Sequence, residues 1–93
     1  MLSDQKRRAI CAEVARLLRA ERLKRGVSMT RLAEQAGLSQ QMVSYMERGM
    51  RNPTIDVLLR VSGALEIRFD SIIGRAYEIT EKNSKKARKT DAQ

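Results

Sequence analysis

Apolar residues recur in this chain at three- and four-residue intervals, the spacing that gathers them on one side of a helix. Ile10, Val14, Leu17 and Leu18 follow it among charged residues between Ser3 or Asp4 and Arg25. Gly26 ends the run, as glycine does just past a helix C-terminus. Ser28 is placed to cap a second, short helix reaching about Ala36, with Leu32, Ala33 and Ala36 facing inward. Gly37 stops that helix, and Ser39 opens a third after a turn of only a few residues. Val43 and Met46 fall on one flank of the third helix, and Gly49 closes it. In the connection "MRNPT", Pro53 disfavours helix at Asn52, and Thr54 can cap a fourth helix with Ile55, Leu58, Leu59, Val61 and Leu65 as its apolar set. Gly63 inside it costs about 1 kcal/mol relative to alanine, unless a neighbouring helix packs on the bare backbone. A fifth helix is expected from Phe69 to about Ile79, with Phe69, Ile72, Ile73 and Ala76 on one side.

No segment alternates convincingly as a strand and no internal repeat is visible, so the pattern predicts an all-α chain, a compact five-helix bundle over residues 1–80. From Lys82 onward the residues are charged and apolar-poor, which predicts a disordered basic tail over 81–93. With 93 residues there is room for one small core, and with only Phe69, Tyr45 and Tyr77 aromatic that core must be aliphatic. The net charge of +8 favours a polyanionic partner. It is concentrated in the first helix (Lys6, Arg7, Arg8, Arg16, Arg19, Arg22, Lys24, Arg25) and in the tail (Lys82, Lys85, Lys86, Arg88, Lys89). Cys11 stands alone and cannot form an intrachain disulfide, and the absence of histidine removes any His-based metal site or catalytic triad. Nothing pairs a nucleophile with a base or builds a phosphate-binding glycine loop, which argues against an enzyme. No apolar run approaches a membrane span or a signal segment. The expectation is a soluble, cytoplasmic, nucleoid-associated protein needing no cofactor or metal.

Two short helices joined by a tight, glycine-containing turn form a helix-turn-helix unit. Ala33 is small where the helices must cross, Gly37 follows four residues on, and Leu38, Val43 and Met46 anchor the second helix. The run "RGVSMTRLAEQAGLSQQMVSYMERGMRNPTIDVLLRVSGAL" resembles the phage-repressor and Cro-like (Xre) family of DNA-binding proteins, and the resemblance extends over roughly Leu18 to Ile73. It implies a lambda-repressor-like domain whose helix over Ser39–Arg48 enters the major groove. It also implies a sequence-specific regulator of transcription acting on double-stranded DNA as a homodimer on a palindromic operator. Arg22 and Glu47 match family positions that form a partly buried ion pair; the alternative is two unrelated surface charges. The chain departs from the family at Met29, where a glutamine commonly braces phosphate and recognition helix, and at Glu66, where glycine often ends the fourth helix.

The outer arc of the third helix carries Gln40, Gln41, Ser44, Tyr45 and Arg48, with no carboxylate before Glu47. A glutamine amide can pair with the N6 and N7 edge of adenine, one donor and one acceptor on each side. Gln40, Gln41, Ser44 and Tyr45 are therefore candidate base readers, or else a solvated polar face; Tyr45 could instead lay its ring on the helix surface. Ser39, Thr30, Arg31, Arg48, Arg51 and Asn52 are candidate phosphate contacts, or ordinary solvated side chains. One helix-turn-helix unit reads only a few base pairs, so a two-fold assembly is expected. Phe69, Ile72, Ile73, Ala76 and Tyr77 are its candidate interface, the alternative being that Phe69 and Ile72 cap the monomer's own core. A competing reading is an antitoxin or protein-interaction module, with a toxin or polymerase as partner and DNA binding secondary.

Overall fold

Hydroxyl residues stand just ahead of four helices and close their first turns. The computed structural model describes residues 1–91 and the side chains of residues 1–85. It contains α1 (Asp4–Lys24), α2 (Met29–Ala36), α3 (Gln40–Glu47), α4 (Ile55–Ala64) and α5 (Phe69–Asp91). Ser3, Ser28, Ser39 and Thr54 each accept the backbone N–H three residues on, at 3.0–3.2 Å. Each thereby satisfies one of the donors a helix start leaves unpaired. α5 starts differently: Asp70, in its first turn, accepts the Ser71 N–H and is gripped by the Arg68 guanidinium through two hydrogen bonds.

The first four helices also end alike. The backbone N–H groups of Val27, Leu38, Met50 and Ile67 reach back to the carbonyls of Arg22, Ala33, Tyr45 and Ser62, and the residue before each donor is left-handed. This is the Schellman closure, with an apolar residue following the left-handed position. Three of the left-handed residues are glycines; the fourth is Glu66, at φ 58°. The departure from the family at this position thus leaves the turn intact and loads it with side-chain strain of about 1–2 kcal/mol.

The core is aliphatic, as expected: Leu18, Leu32, Val43, Val61, Leu65 and Ile72 are almost wholly buried, with Ile10, Val14, Leu17 and Met46 around them. Burying each such side chain contributes about 1.5–3 kcal/mol. α2 packs on α3 and α4, while α1 lies against α5 and α3. Two expectations are corrected, and one open alternative is settled. Ile55 and Leu59 of α4 point to solvent (70% and 54% exposed), and the inward position between them and Leu65 is taken by Ser62, whose hydroxyl donates to the Leu58 carbonyl at 2.8 Å. No neighbour packs on Gly63: a Cβ there would meet nothing within 4 Å. Finally, α5 does not stop near Ile79, and the stretch expected as a disordered tail continues as helix through Asp91. Thr80 is still buried and Glu81 lies 3.9 Å from Lys6 of α1, so contact with the core outlasts the apolar pattern. Beyond it, lysines, Ala87 and Arg88 are good helix formers and carry the helix on past Asn83 and Ser84. The side chains of Lys86, Arg88 and Lys89, and residues 92–93, lie outside the described residues.

Candidate nucleic-acid interface

α3 is held by one flank and displayed by the other. Val43 and Met46 are buried against the core, and Ala33 of α2 is 3% exposed, as the close crossing of the two helices requires. Gly37 turns the chain at φ 69°, and a Cβ there would also press on the Arg60 guanidinium at 3.1 Å. Leu38 is half-buried just beyond it. The C-terminal end of α3 is fixed by charge. The Arg22 guanidinium donates from Nε and Nη2 to the two carboxylate oxygens of Glu47, at 2.6 and 2.9 Å, and from Nη1 to the Val27 carbonyl at 2.8 Å. Both side chains are buried, so of the two alternatives the structure builds the ion pair. The Glu47 hydrogen bonds hold Arg22 still more firmly in its charged form. Arg19, exposed on α1, lies 3.9 Å from the same carboxylate.

The displayed flank brings the candidate base readers together. Gln40 and Gln41 are exposed in the first turn of α3, and Ser44 and Tyr45 are half-buried one turn on. The Gln41 Nε2 donates to the Tyr45 hydroxyl at 2.7 Å. The guanidinium carbons of Arg48 and Arg51 lie 5.5 and 5.2 Å from the centre of the Tyr45 ring, within cation–π range. Tyr45 therefore does not stand free: it is half-buried at the centre of a cluster with Gln41, Arg48 and Arg51. The candidate phosphate contacts Thr30, Arg31, Ser39, Arg48, Arg51 and Asn52 are all exposed, at the starts of α2 and α3 and in the connection after α3. Met29 is half-buried on the core, an apolar packing residue where the family often has a brace.

Two cations were missed as neighbours of this surface. Arg7 and Arg8 of α1 line a groove of about 550 Å³ together with Arg51, Asn52 and Pro53. Their place in the fold depends on how α1 crosses the connection after α3, which helical spacing within α1 does not encode. Among the described residues no group of three or more His, Cys, Asp or Glu side chains is arranged to hold a metal ion, and no helix is long and apolar enough to cross a membrane.

The expected two-fold surface on α5 is corrected in part. Ile72 and Ala76 are fully buried in the monomer's core, and Phe69 and Ile73 are half-buried against it. Only Tyr77 of the five is exposed. The stripe faces inward because α1 covers it, with Glu21 of α1 accepting a hydrogen bond from Arg75 at 3.0 Å.

A capped helix pair around a left-handed glycine turn, with a polar outer face on the second helix, defines a helix-turn-helix protein. The helix-turn-helix family model matches residues 18–72, more than half of the chain. The chain belongs to this family, among the phage-repressor and Cro-like DNA-binding regulators of transcription. An uncharacterised HTH-type transcriptional regulator of Mycobacterium tuberculosis is 39% identical over 59 residues, 63% of this chain and 42% of that protein. The immunity repressor of Bacillus phage phi105 is 34% identical over 71 residues, 76% of this chain and 49% of that protein. The chain thus spans about half the length of these relatives. Among solved structures, SinR, the master regulator for biofilm formation, in complex with DNA, aligns with a TM-score of 0.61 and 30% identity over 64% of this chain and 97% of that one. ClgR, the clp gene regulator of Corynebacterium glutamicum, shares the fold, with a TM-score of 0.77 over 89% of this chain and 88% of that one at 22% identity.

Proposed function

We propose that this protein is a sequence-specific regulator that reads double-stranded DNA with α3 in the major groove, as a homodimer on a palindromic operator. The carrying observation is the asymmetry of α3: Val43, Met46 and Glu47 lock one flank, while Gln40, Gln41 and Ser44 offer amide and hydroxyl groups on the other, with the Tyr45 hydroxyl bonded to Gln41. A helix fixed this way can hold its outer groups at base edges without ordering itself on binding. Arg31, Arg48, Arg51 and Asn52 take phosphates on either side, and Ser39 and Thr30 bring the backbone N–H groups of two helix starts to the same backbone. Arg7 and Arg8 add charge along the groove that Arg51 also lines.

The SinR structure in complex with DNA supports this reading by likeness of fold and sequence. The dimer rests on the few base pairs one unit can read, with recognition helices about 34 Å apart on one face of the duplex. Exposed apolar side chains for a two-fold contact include Leu23, Met50, Ile55, Leu59 and Tyr77. The setting is the cytoplasm, where the DNA is. Selection of bound duplexes from a random pool tests the reading. A symmetric site should emerge, and Gln40→Ala or Gln41→Ala should each weaken its binding by about 1–3 kcal/mol per lost bidentate contact while leaving binding to unrelated DNA unchanged. Light scattering should show a dimer at micromolar concentration. No preferred sequence, or full preference in both glutamine variants, would overturn it.

A further inference from the structure

The two adjacent glutamines of α3 are not equivalent. Gln41 donates from Nε2 to the Tyr45 hydroxyl at 2.7 Å, whereas no side-chain hydrogen bond of Gln40 occurs among the described residues. Tyr45 is itself restrained: it is half-buried, and the Arg48 and Arg51 guanidiniums lie against its ring. An exposed glutamine amide turns about its terminal torsion and exchanges donor with acceptor, so an unrestrained amide fits more than one base edge. The Tyr45 hydroxyl, able to accept from Nε2 or to donate to Oε1, restrains where the Gln41 amide sits, and in the arrangement the structure shows it accepts one Nε2 hydrogen. The second Nε2 hydrogen and Oε1 remain as an oriented donor and acceptor.

Resting on the reading of α3 as the DNA-reading helix, we propose that Tyr45 is a positioning residue that orients the Gln41 amide for adenine. Gln41 then imposes adenine strictly at its base pair, and Gln40, lacking such a brace, tolerates more than one base. The adenine N6–H is accepted by Oε1, and adenine N7 accepts from the free Nε2–H. Arg48 and Arg51 hold the phenol ring by cation–π attraction, and they remain free to meet phosphates through their outer N–H groups.

The test uses the full chain and four proteins: wild type, Q41A, Y45F and the double variant, each put through duplex selection and titrated on the selected site with single-base changes. Tyr45→Phe keeps the ring beneath both arginines and removes only the hydroxyl. It should lower the preference for adenine at the base pair that Q41A erases by roughly three- to tenfold, the worth of one oriented hydrogen bond. The salt dependence of binding should not move, because no phosphate contact is lost. In the Q41A background, Y45F should change nothing further. Full adenine preference in Y45F overturns the proposal. So does an equal loss from Y45F with and without Gln41, which makes Tyr45 a direct reader. A wild type with no base preference overturns the DNA-reading function itself, and this inference with it.

Discussion

Glu47→Gln keeps the shape of the side chain and removes the charge that faces Arg22. The two side chains are 3% and 8% exposed, so water cannot take the place of the lost carboxylate. Arg22 keeps the Val27 carbonyl on Nη1 and one neutral acceptor, the amide oxygen. The amide NH2 now sets a donor against a guanidinium N–H where a carboxylate oxygen had accepted, and both charged contacts, at 2.6 and 2.9 Å, are lost. Arg19, 3.9 Å from the same carboxylate, then adds an uncompensated like charge. Stranding one member of a buried pair costs about 3–5 kcal/mol, and the amide oxygen that still accepts a hydrogen bond places this variant near 3. The whole domain is worth only about 5–14 kcal/mol at this length, so the midpoint of urea unfolding, followed by helical circular dichroism, should fall steeply at unchanged slope. Replacing both partners by apolar residues of similar volume, R22M with E47L, should recover most of the loss, because no charge is then left buried. The single and double replacements form a cycle whose non-additivity measures the coupling. A loss below about 1 kcal/mol for E47Q, the size of a surface pair, would refute the reasoning, as would single effects that simply add.

Two backbone exchanges should both stabilise the fold although they run in opposite directions. Glu66→Gly relieves a left-handed residue and Gly63→Ala fills open space on a helix, each gaining about 0.5–1 kcal/mol in thermal or urea unfolding; a loss from either would show strain or packing misjudged. The Glu21 carboxyl is held below the usual carboxylate range, chiefly by its hydrogen bond from Arg75 and then by that from Arg25. Because the folded value is the lower one, this stability is fully present above the unfolded value of about 4.3 and is lost as pH falls from there through the folded value. Glu21→Gln should therefore be less stable than wild type at pH 6, and the gap should close below pH ~4; a gap constant with pH would sink the assignment.

The helix-turn-helix was legible because its signals are local. A serine at the start and a glycine past the end of α2, with an alanine one turn before that glycine, specify two helix ends and a close crossing within a dozen residues. Even the one departure at a helix end, Glu66, could be located from sequence, although only the backbone showed that the turn forms regardless. The paired glutamines were likewise visible as an outward arc. Their inequivalence lay in the spacing and went unread: Tyr45 stands four residues after Gln41, one helical turn on, but five after Gln40, and the structure makes the contact with Gln41. Arg7 and Arg8 were counted as charge but not placed, because their sharing a groove with Arg51 is a property of how two elements cross.

α5 shows most sharply where such reading stops. Phe69, Ile72, Ile73 and Ala76 form one stripe at helical spacing, and a stripe states that a face is to be covered without stating by what. A second copy of the chain and the chain's own α1 satisfy it equally well on paper. The choice is made by α1, which is long enough to reach along α5 and brings Glu21 to Arg75 and Lys6 to Glu81. Once Ile72 and Ala76 are committed to that contact, Ile73→Asp would mainly test monomer stability, since a charge there would sit against the core. A dimer test must act on side chains that the monomer leaves outside. Leu59→Asp does so: at 54% exposure the carboxylate stays in water in a monomer and is buried only if this face of α4 meets its mate. A lost dimer, with the unfolding midpoint unchanged at concentrations too low for wild type to dimerise, would place the two-fold contact on α4, and an unchanged dimer would leave Leu23, Met50 and Tyr77 among the apolar side chains still to be tried.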